Sequence, residues 1–181
     1  MKLFAAVLPL PEAVDELART VAPLRTLPGA DALRWTGRAG WHYTLAFLGQ
    51  VDDTLIPALE ARLAHTARHH EPFELNITGG GSFGGKVLWA GAGGQLTAMA
   101  ALAAATKAAA QEAGITMEEH RPYVPHLTLA TSRTAAGLGR YTDGLSGFTG
   151  IPWTVRELVL VRSGADPQYK VVAAWPLGTG T

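Results

Sequence analysis

Two pentapeptides hold the residues best suited to chemistry. His42-Tyr43-Thr44-Leu45-Ala46 and His126-Leu127-Thr128-Leu129-Ala130 agree at four of five positions and lie in opposite halves of the chain. On a β-strand successive side chains alternate between faces, so in each copy the His and Thr project together while the residue between them and the following Leu point the other way. Each copy then offers one imidazole and one hydroxyl to a common surface. A single His-x-Thr is an ordinary polar pairing on a half-exposed strand, but core packing does not ask for histidine twice at equivalent positions. Two imidazoles facing each other across a phosphate form a metal-free acid–base pair. Imidazole titrates near neutrality, so one can take the proton of an attacking water while the other, protonated, donates to the leaving oxygen. The two Thr hydroxyls, as donors, would hold the non-bridging phosphate oxygens while charge builds.

Both motifs need strands to hold them. Around the first, Trp41, Tyr43, Leu45 and Phe47 alternate with His42, Thr44 and Ala46, so the odd-numbered face is predicted to be core. Around the second, Pro122 and Pro125 exclude helix just before a short strand over 126–131. Elsewhere Leu3–Val7 reads as a first strand rather than a secretory leader, since Pro9 ends its apolar run early and Glu12 stands where a small-residue cleavage site belongs. Helices are predicted from Pro11 to about Leu27, with Val14, Leu17, Val21 and Leu24 at helical spacing, from Asp53 to about His70, and over the alanine-rich 95–113 with a stop at Gly114. Phe73–Thr78 and Lys86–Ala90 read as strands joined by the Gly-rich run 79–85. Residues 132–150 read as loop or irregular helix. Thr154–Arg162 and Tyr169–Trp175 read as a hairpin turning through Gly164, Asp166 and Pro167. The order is roughly β-α-β-α-β-β-α-β-β-β, an α+β arrangement with mostly antiparallel pairing.

Composition narrows the function further. The 181 residues include 15 Lys+Arg against 15 Asp+Glu. Zero net charge argues against a broad basic surface that tracks long nucleic acid, so an anionic ligand must be met locally. With 48% hydrophobic and 17% charged residues the chain can build a core, and without cysteine it has no disulfide, thiolate nucleophile or Cys-ligated metal. No charge-free apolar run reaches the roughly 20 residues of a membrane span.

With its motifs in this setting, the sequence resembles the two-histidine (2H) phosphoesterase superfamily, and within it the bacterial and archaeal RNA 2′,3′-cyclic phosphodiesterases, also called 2′-5′ RNA ligases. Beyond the two His-x-Thr motifs, the resemblance includes Leu3-Phe4-Ala5-Ala6-Val7, Arg34-Trp35, Phe47-Leu48-Gly49, Phe83, Val87-Leu88-Trp89-Ala90-Gly91, Arg121-Pro122, Pro125 and Tyr169. It implies a bilobal, pseudo-symmetric α+β fold spanning 1–181 as one domain, with mostly antiparallel sheets, helices outside and a central cleft. It also implies hydrolysis of an RNA 2′,3′-cyclic phosphate to a 2′-phosphate, without metal or cofactor. His42 would be the acid that protonates the departing 3′-oxygen, His126 the base that activates water, and Thr44 and Thr128 the phosphate ligands. The partners implied are RNA ends or nucleotides bearing a 2′,3′-cyclic phosphate, met by a monomer in the cytoplasm. The subfamily often carries Arg directly after the second Leu-Ala. Here that place is Thr131, with Arg133 two residues on, so Arg133 or Arg121 is the candidate for gripping phosphate, a task a guanidinium performs bidentately.

Alternatives from the same residues are 2′-5′ ligation by the same site and a nucleotide-binding module without turnover. Other signals are weaker. Gly80–Val87 nearly spells a phosphate-binding P-loop, but Val87 replaces the magnesium-binding hydroxyl and a strand, not a helix, is predicted to follow. Phe83 in that run is a candidate for stacking on a base and equally a core residue. His65 and His69 share a helix face without a neighbouring Glu or third ligand and read as solvated, and His70 and His120 carry no stronger signal. Trp35, Trp41, Trp89 and Trp153 read as core or cleft wall.

Overall fold

The first apolar run forms β1 (Lys2–Val7) in a computed structural model that describes residues 1–117, 122–164 and 167–179. His120, Arg121 and Asp166 lie outside the described residues. β1 is an inner strand of a four-stranded sheet ordered β3-β1-β8-β9, where β3 is Tyr43–Gln50, β8 Glu157–Ser163 and β9 Tyr169–Pro176. A second sheet is ordered β2-β6-β5-β4-β7, with β2 Arg34–Trp35, β6 Leu127–Thr131, β5 Val87–Gly94, β4 Phe73–Phe83 and β7 Trp153–Val155. Every pairing is antiparallel. Helices α2 (Ile56–Arg68) and α3 (Leu96–Glu112) pack on each other and against the first sheet, while α1 (Pro11–Leu24) and α4 (Gly139–Leu145) pack against the second. The α+β, two-lobed architecture expected from the sequence is the one observed, with one His-x-Thr motif in each sheet.

The helices form for local reasons. α1 starts at Pro11, whose fixed φ suits the first turn, with Glu12 beside the positive end of the helix dipole, and it turns Ala13, Leu17, Val21 and Leu24 inward. α3 is closed just past Glu112 by Gly114, which adopts φ 99°. There the N–H of Ile115 returns to the Ala110 carbonyl (3.1 Å) and that of Gly114 to Gln111 (3.0 Å), a Schellman closure that the Gly at this position permits.

Three elements differ from the sequence reading. Thr154–Arg162 is not one strand: β7 ends at Val155 and pairs with β4, while β8 begins at Glu157 and pairs with β1, so the chain changes sheets around Arg156. Alternation reports which face is buried, not which sheet a residue joins. The Gly-rich run is mostly strand, because β4 continues to Phe83 and pairs with β5 as far as Phe83↔Val87. Glycine is needed there for close approach: a Cβ on Gly81 would stand 2.5 Å from Cζ2 of Trp89 on the neighbouring strand. Third, Phe47 is not core but 67% exposed, for a reason that belongs to the site. Among the described residues no helix is long and apolar enough to cross a membrane.

Candidate active site

His42 and His126 occupy the same structural position, the residue immediately before β3 and before β6. The next residue in each copy, Tyr43 or Leu127, is 0% exposed. Thr44 and Thr128 then return to the histidine side, and all four line one cavity of about 800 Å³ walled by strands of both sheets. The alternation argument holds this far and then fails in both copies at the same place. β1 pairs Ala6 with Thr44 but Ala5 with Ala46, which leaves Leu45 as an extra residue. β5 pairs Trp89 with Thr128 but Leu88 with Ala130, which leaves Leu129 extra. These are β-bulges, which insert one residue and re-aim the side chains beyond it. Leu45 and Ala46, like Leu129 and Ala130, are consecutively buried. The next residues, Phe47 and Thr131, therefore face the cavity. The Thr36 N–H uses the bulged carbonyl of Leu129 (2.8 Å).

Each imidazole is oriented from behind. Nδ1–H of His42 donates to the Gly40 carbonyl and Nδ1–H of His126 to the Val124 carbonyl, both at 2.8 Å and both two residues back. This tautomer leaves Nε2 of each neutral ring unprotonated, as a proton acceptor needs. The Thr44 hydroxyl donates to Nε2 of His42 (3.1 Å). Aromatic rings fix the two planes. Phe4 stacks on His42 (centroids 4.6 Å) with Tyr169 edge-on at 5.4 Å, and His126 meets Phe83 edge-on at 4.9 Å and Trp89 at 6.2 Å. Gly40 lets Tyr169 come this close, since a Cβ there would lie 2.9 Å from the ring. Burial lowers the pKa of His42 below its ordinary value, the Gly40 carbonyl opposes that shift by favouring the imidazolium, and the charge of His126 adds to the lowering.

Two tyrosines tie the lobes together at the first motif. The Tyr43 hydroxyl, buried in the core, donates to the Gly91 carbonyl of β5 (2.8 Å). The Tyr123 hydroxyl donates to the Thr44 carbonyl (2.8 Å), so the segment entering the second motif holds the backbone of the first. Burial pushes both phenols up from their ordinary range and keeps them neutral donors. Tyr123→Phe removes the donor while keeping the ring. It is expected to lower stability by about 1–3 kcal/mol, the cost of a part-buried carbonyl left unpaired, and to lower kcat/KM with it; denaturant unfolding and initial rates check both.

A family model described as the 2′-5′ RNA ligase superfamily matches residues 13–167, a span that contains both motifs. The chain belongs to this superfamily. It is 33% identical over 149 residues to the RNA 2′,3′-cyclic phosphodiesterase of Bacillus subtilis (strain 168), covering 80% of each protein. To the RNA 2′,3′-cyclic phosphodiesterase of Geobacillus stearothermophilus it is 29% identical over 154 residues, 79% of this chain and 47% of that one, so it spans about half the length of that relative. The apo crystal structure of E. coli LigT matches with a TM-score of 0.78 over 98% of this chain and 97% of that one at 24% identity, a shared fold.

Within this superfamily member the cavity has a charge that the whole chain lacks. Its described lining includes Lys2 and Arg34 and neither Asp nor Glu, so a site that favours anions sits in a molecule of zero net charge. Sequence reasoning had not singled out Arg34 as a site residue. It is the cross-strand partner of Thr131 on β2, a relation made by strand pairing and invisible in the order of residues. Arg133 is placed elsewhere: β6 ends at Thr131, the Ser132 N–H turns back to the Lys86 carbonyl (2.8 Å), and Arg133 is exposed and outside the cavity lining. The strand parity that would have carried it to the cleft has no strand to run on. Phe83 is partly exposed against Trp89 and His126 rather than in the core. His65 on α2 and His69 just past its end are exposed, with rings 4.1 Å apart and outside the cavity lining.

Proposed function

We propose that this cleft hydrolyses RNA 2′,3′-cyclic phosphate termini to 2′-phosphomonoesters, using His42 and His126 as acid and base and no metal. The observation that carries the reading is the matched pair of His-x-Thr motifs, one from each lobe, lining a single cavity with the same Nδ1 anchoring on both imidazoles. The curated relatives carry the name of this activity. His126 Nε2 takes a proton from water as its oxygen attacks phosphorus. The bond from phosphorus to the 3′-oxygen breaks, and His42, protonated at Nε2, delivers its proton to that oxygen, leaving a 3′-hydroxyl and a 2′-phosphate. Thr44 and Thr128 donate to the non-bridging oxygens, and Arg34 supplies a cation at the same wall as Thr131. The two imidazoles account for both proton transfers. The same reading has residues 1–181 acting as one domain, a cytoplasmic monomer working on RNA ends or nucleotides.

The depressed pKa of His42 sets the pH dependence. The pH profile of kcat/KM is bell-shaped for one acid and one base, and the limb set by the free-enzyme pKa of His42 is expected below about 6.5. Bound phosphate favours the imidazolium, so the limb set by His42 lies at higher pH in kcat than in kcat/KM. A profile with both limbs above the ordinary histidine range would contradict the lowered pKa of His42.

Initial rates on 2′,3′-cyclic mononucleotides and a cyclic-phosphate oligonucleotide, with and without EDTA and a 5′-hydroxyl acceptor, test the function. Turnover unaffected by EDTA is expected. A 2′-5′-linked product in the acceptor arm would establish ligation as the reverse chemistry of the same site, and tight nucleotide binding without turnover would reduce the protein to a binding module.

A further inference from the structure

We propose that Lys2, with Ser163 and Gln168 beside it, binds the phosphate on the 5′ side of the terminal nucleotide, an inference that rests on the phosphodiesterase reading and names the ends it prefers. The preferred substrate is then an RNA end, or a nucleotide with a 5′-phosphate, rather than a nucleoside 2′,3′-cyclic phosphate. The charge count points this way. A cyclic phosphate is a diester with a single negative charge, yet the described lining holds both Lys2 and Arg34 and no carboxylate. The two cations stand on opposite walls. Arg34 is the cross-strand partner of Thr131 in the second sheet, on the same strand as Thr128, and so serves the reacting phosphate. Lys2 belongs to the first sheet and lies farther from the histidines.

Its place follows from β1. Leu3 turns into the core and Phe4 toward the cavity, so Lys2 shares the face of Phe4. The Phe4 ring carries the His42 imidazole at 4.6 Å. A strand rises about 3.3 Å per residue, so Lys2 begins about 7 Å beyond Phe4, one nucleotide farther from the chemistry. With the 2′,3′ edge of the ribose held at the two histidines, the 5′ carbon lies on the opposite edge of the sugar and the chain leads away. The way toward Lys2 is open, because the cavity of about 800 Å³ continues past Phe4 to Lys2, Gly49, Ser163 and Gln168. β1 pairs Leu3 with Arg162, which brings Lys2 level with Ser163, and β8 pairs Ser163 with Tyr169, next to Gln168. The Lys2 ammonium, the Ser163 hydroxyl and the Gln168 amide are all donors. Among the described residues none of these three side chains is taken up by a hydrogen bond or an ion pair, which leaves them to the oxygens of a phosphate.

The test measures kcat/KM on adenosine 2′,3′-cyclic phosphate, on the same nucleotide carrying a 5′-phosphate, and on the adenosine dinucleotide ending in a 2′,3′-cyclic phosphate. Wild type, Lys2→Gln and Lys2→Arg are compared. Gln removes the charge while the backbone bonds of Met1 with Val51 still hold the start of the strand. Wild type should favour the two substrates with a 5′ phosphate about 3–10-fold, the range for an exposed cation on a phosphate. Lys2→Gln is expected to lose most of that preference and Lys2→Arg to keep it, and Ser163→Ala should act in the direction of Lys2→Gln but by less. On the dinucleotide, the log–log dependence of kcat/KM on salt should be shallower in Lys2→Gln by about 0.7, the share of one phosphate contact on a single strand. A wild type without the preference, or a preference that survives in Lys2→Gln, would overturn the subsite. Should wild type turn over none of the three, the phosphodiesterase reading fails by itself. Calorimetry then decides the subsite: adenosine 2′,5′-bisphosphate binding more tightly than adenosine 2′-phosphate, with the difference lost in Lys2→Gln, supports it. Equal affinities, or a difference that persists in Lys2→Gln, refute it.

Discussion

Replacing His42 or His126 with Ala is expected to lower kcat on a 2′,3′-cyclic phosphate by about 10²–10⁴-fold each, the range contributed by one positioned proton donor or acceptor. Because both protons move in one displacement, the double variant should be little worse than either single one. Both rings are only partly buried, so circular dichroism and the unfolding midpoint should show the fold intact. The two variants separate on a diester whose leaving group needs no proton. On bis(4-nitrophenyl) phosphate, loss of the acid matters far less than loss of the base, so His42→Ala should be much less impaired than His126→Ala. The opposite order would reverse the acid and base assignments.

Thr44→Ala and Thr128→Ala form the second large prediction. A preorganised donor aimed at developing charge is worth about 10²–10³-fold in kcat, and each hydroxyl stands two residues from its histidine on the cavity wall. The two positions differ before substrate arrives. Thr44 already donates to His42 Nε2 and must release that contact to hold phosphate, whereas no hydrogen bond engages the Thr128 hydroxyl among the described residues. Thr128→Ala should therefore act almost wholly on kcat. Thr44→Ala should also move the pH limb assigned to His42. Thr→Ser at either position keeps the donor and should recover most of the rate. A Ser variant as impaired as the Ala variant would mean that the methyl group, and so packing, was what mattered.

The arrangement of the motifs was legible in the sequence because strand alternation is a local rule. His and Thr two apart share a face, and a buried residue separates them; both copies obey this through Thr44 and Thr128. The rule stops at Leu45 and Leu129, where each strand gains a residue relative to its neighbour. Nothing in Leu-Ala marks a bulge, so Phe47 read as core, although the repeat of Leu-Ala in both motifs matches the repeat of the bulge. What depends on strand pairing was out of reach. Arg34 reaches the cavity because β2 lies beside β6, and Arg133 misses it because β6 ends early. Tyr123, between Pro122 and Pro125, carries no signal in the order of residues, yet its hydroxyl holds Thr44, far away in the chain. The Gly-rich run shows the same limit from the other side: Gly81 makes room for the indole of Trp89 on the next strand, and only its end, Gly84 and Gly85 with positive φ, forms a turn.

The zero net charge is likewise sharpened by the structure. It conceals a cavity lined by Lys2 and Arg34 with no carboxylate among its described residues, suited to the end of a phosphate backbone rather than its length.

The most direct test of the two-histidine mechanism is turnover of a 2′,3′-cyclic-phosphate oligonucleotide in ¹⁸O-labelled water with EDTA present, with the product resolved by position and mass. One ¹⁸O in a 2′-phosphate, with the 3′-hydroxyl free, is the expected result, and both His42→Ala and His126→Ala should suppress its formation. A 3′-phosphate product, or turnover abolished by EDTA, would contradict the mechanism.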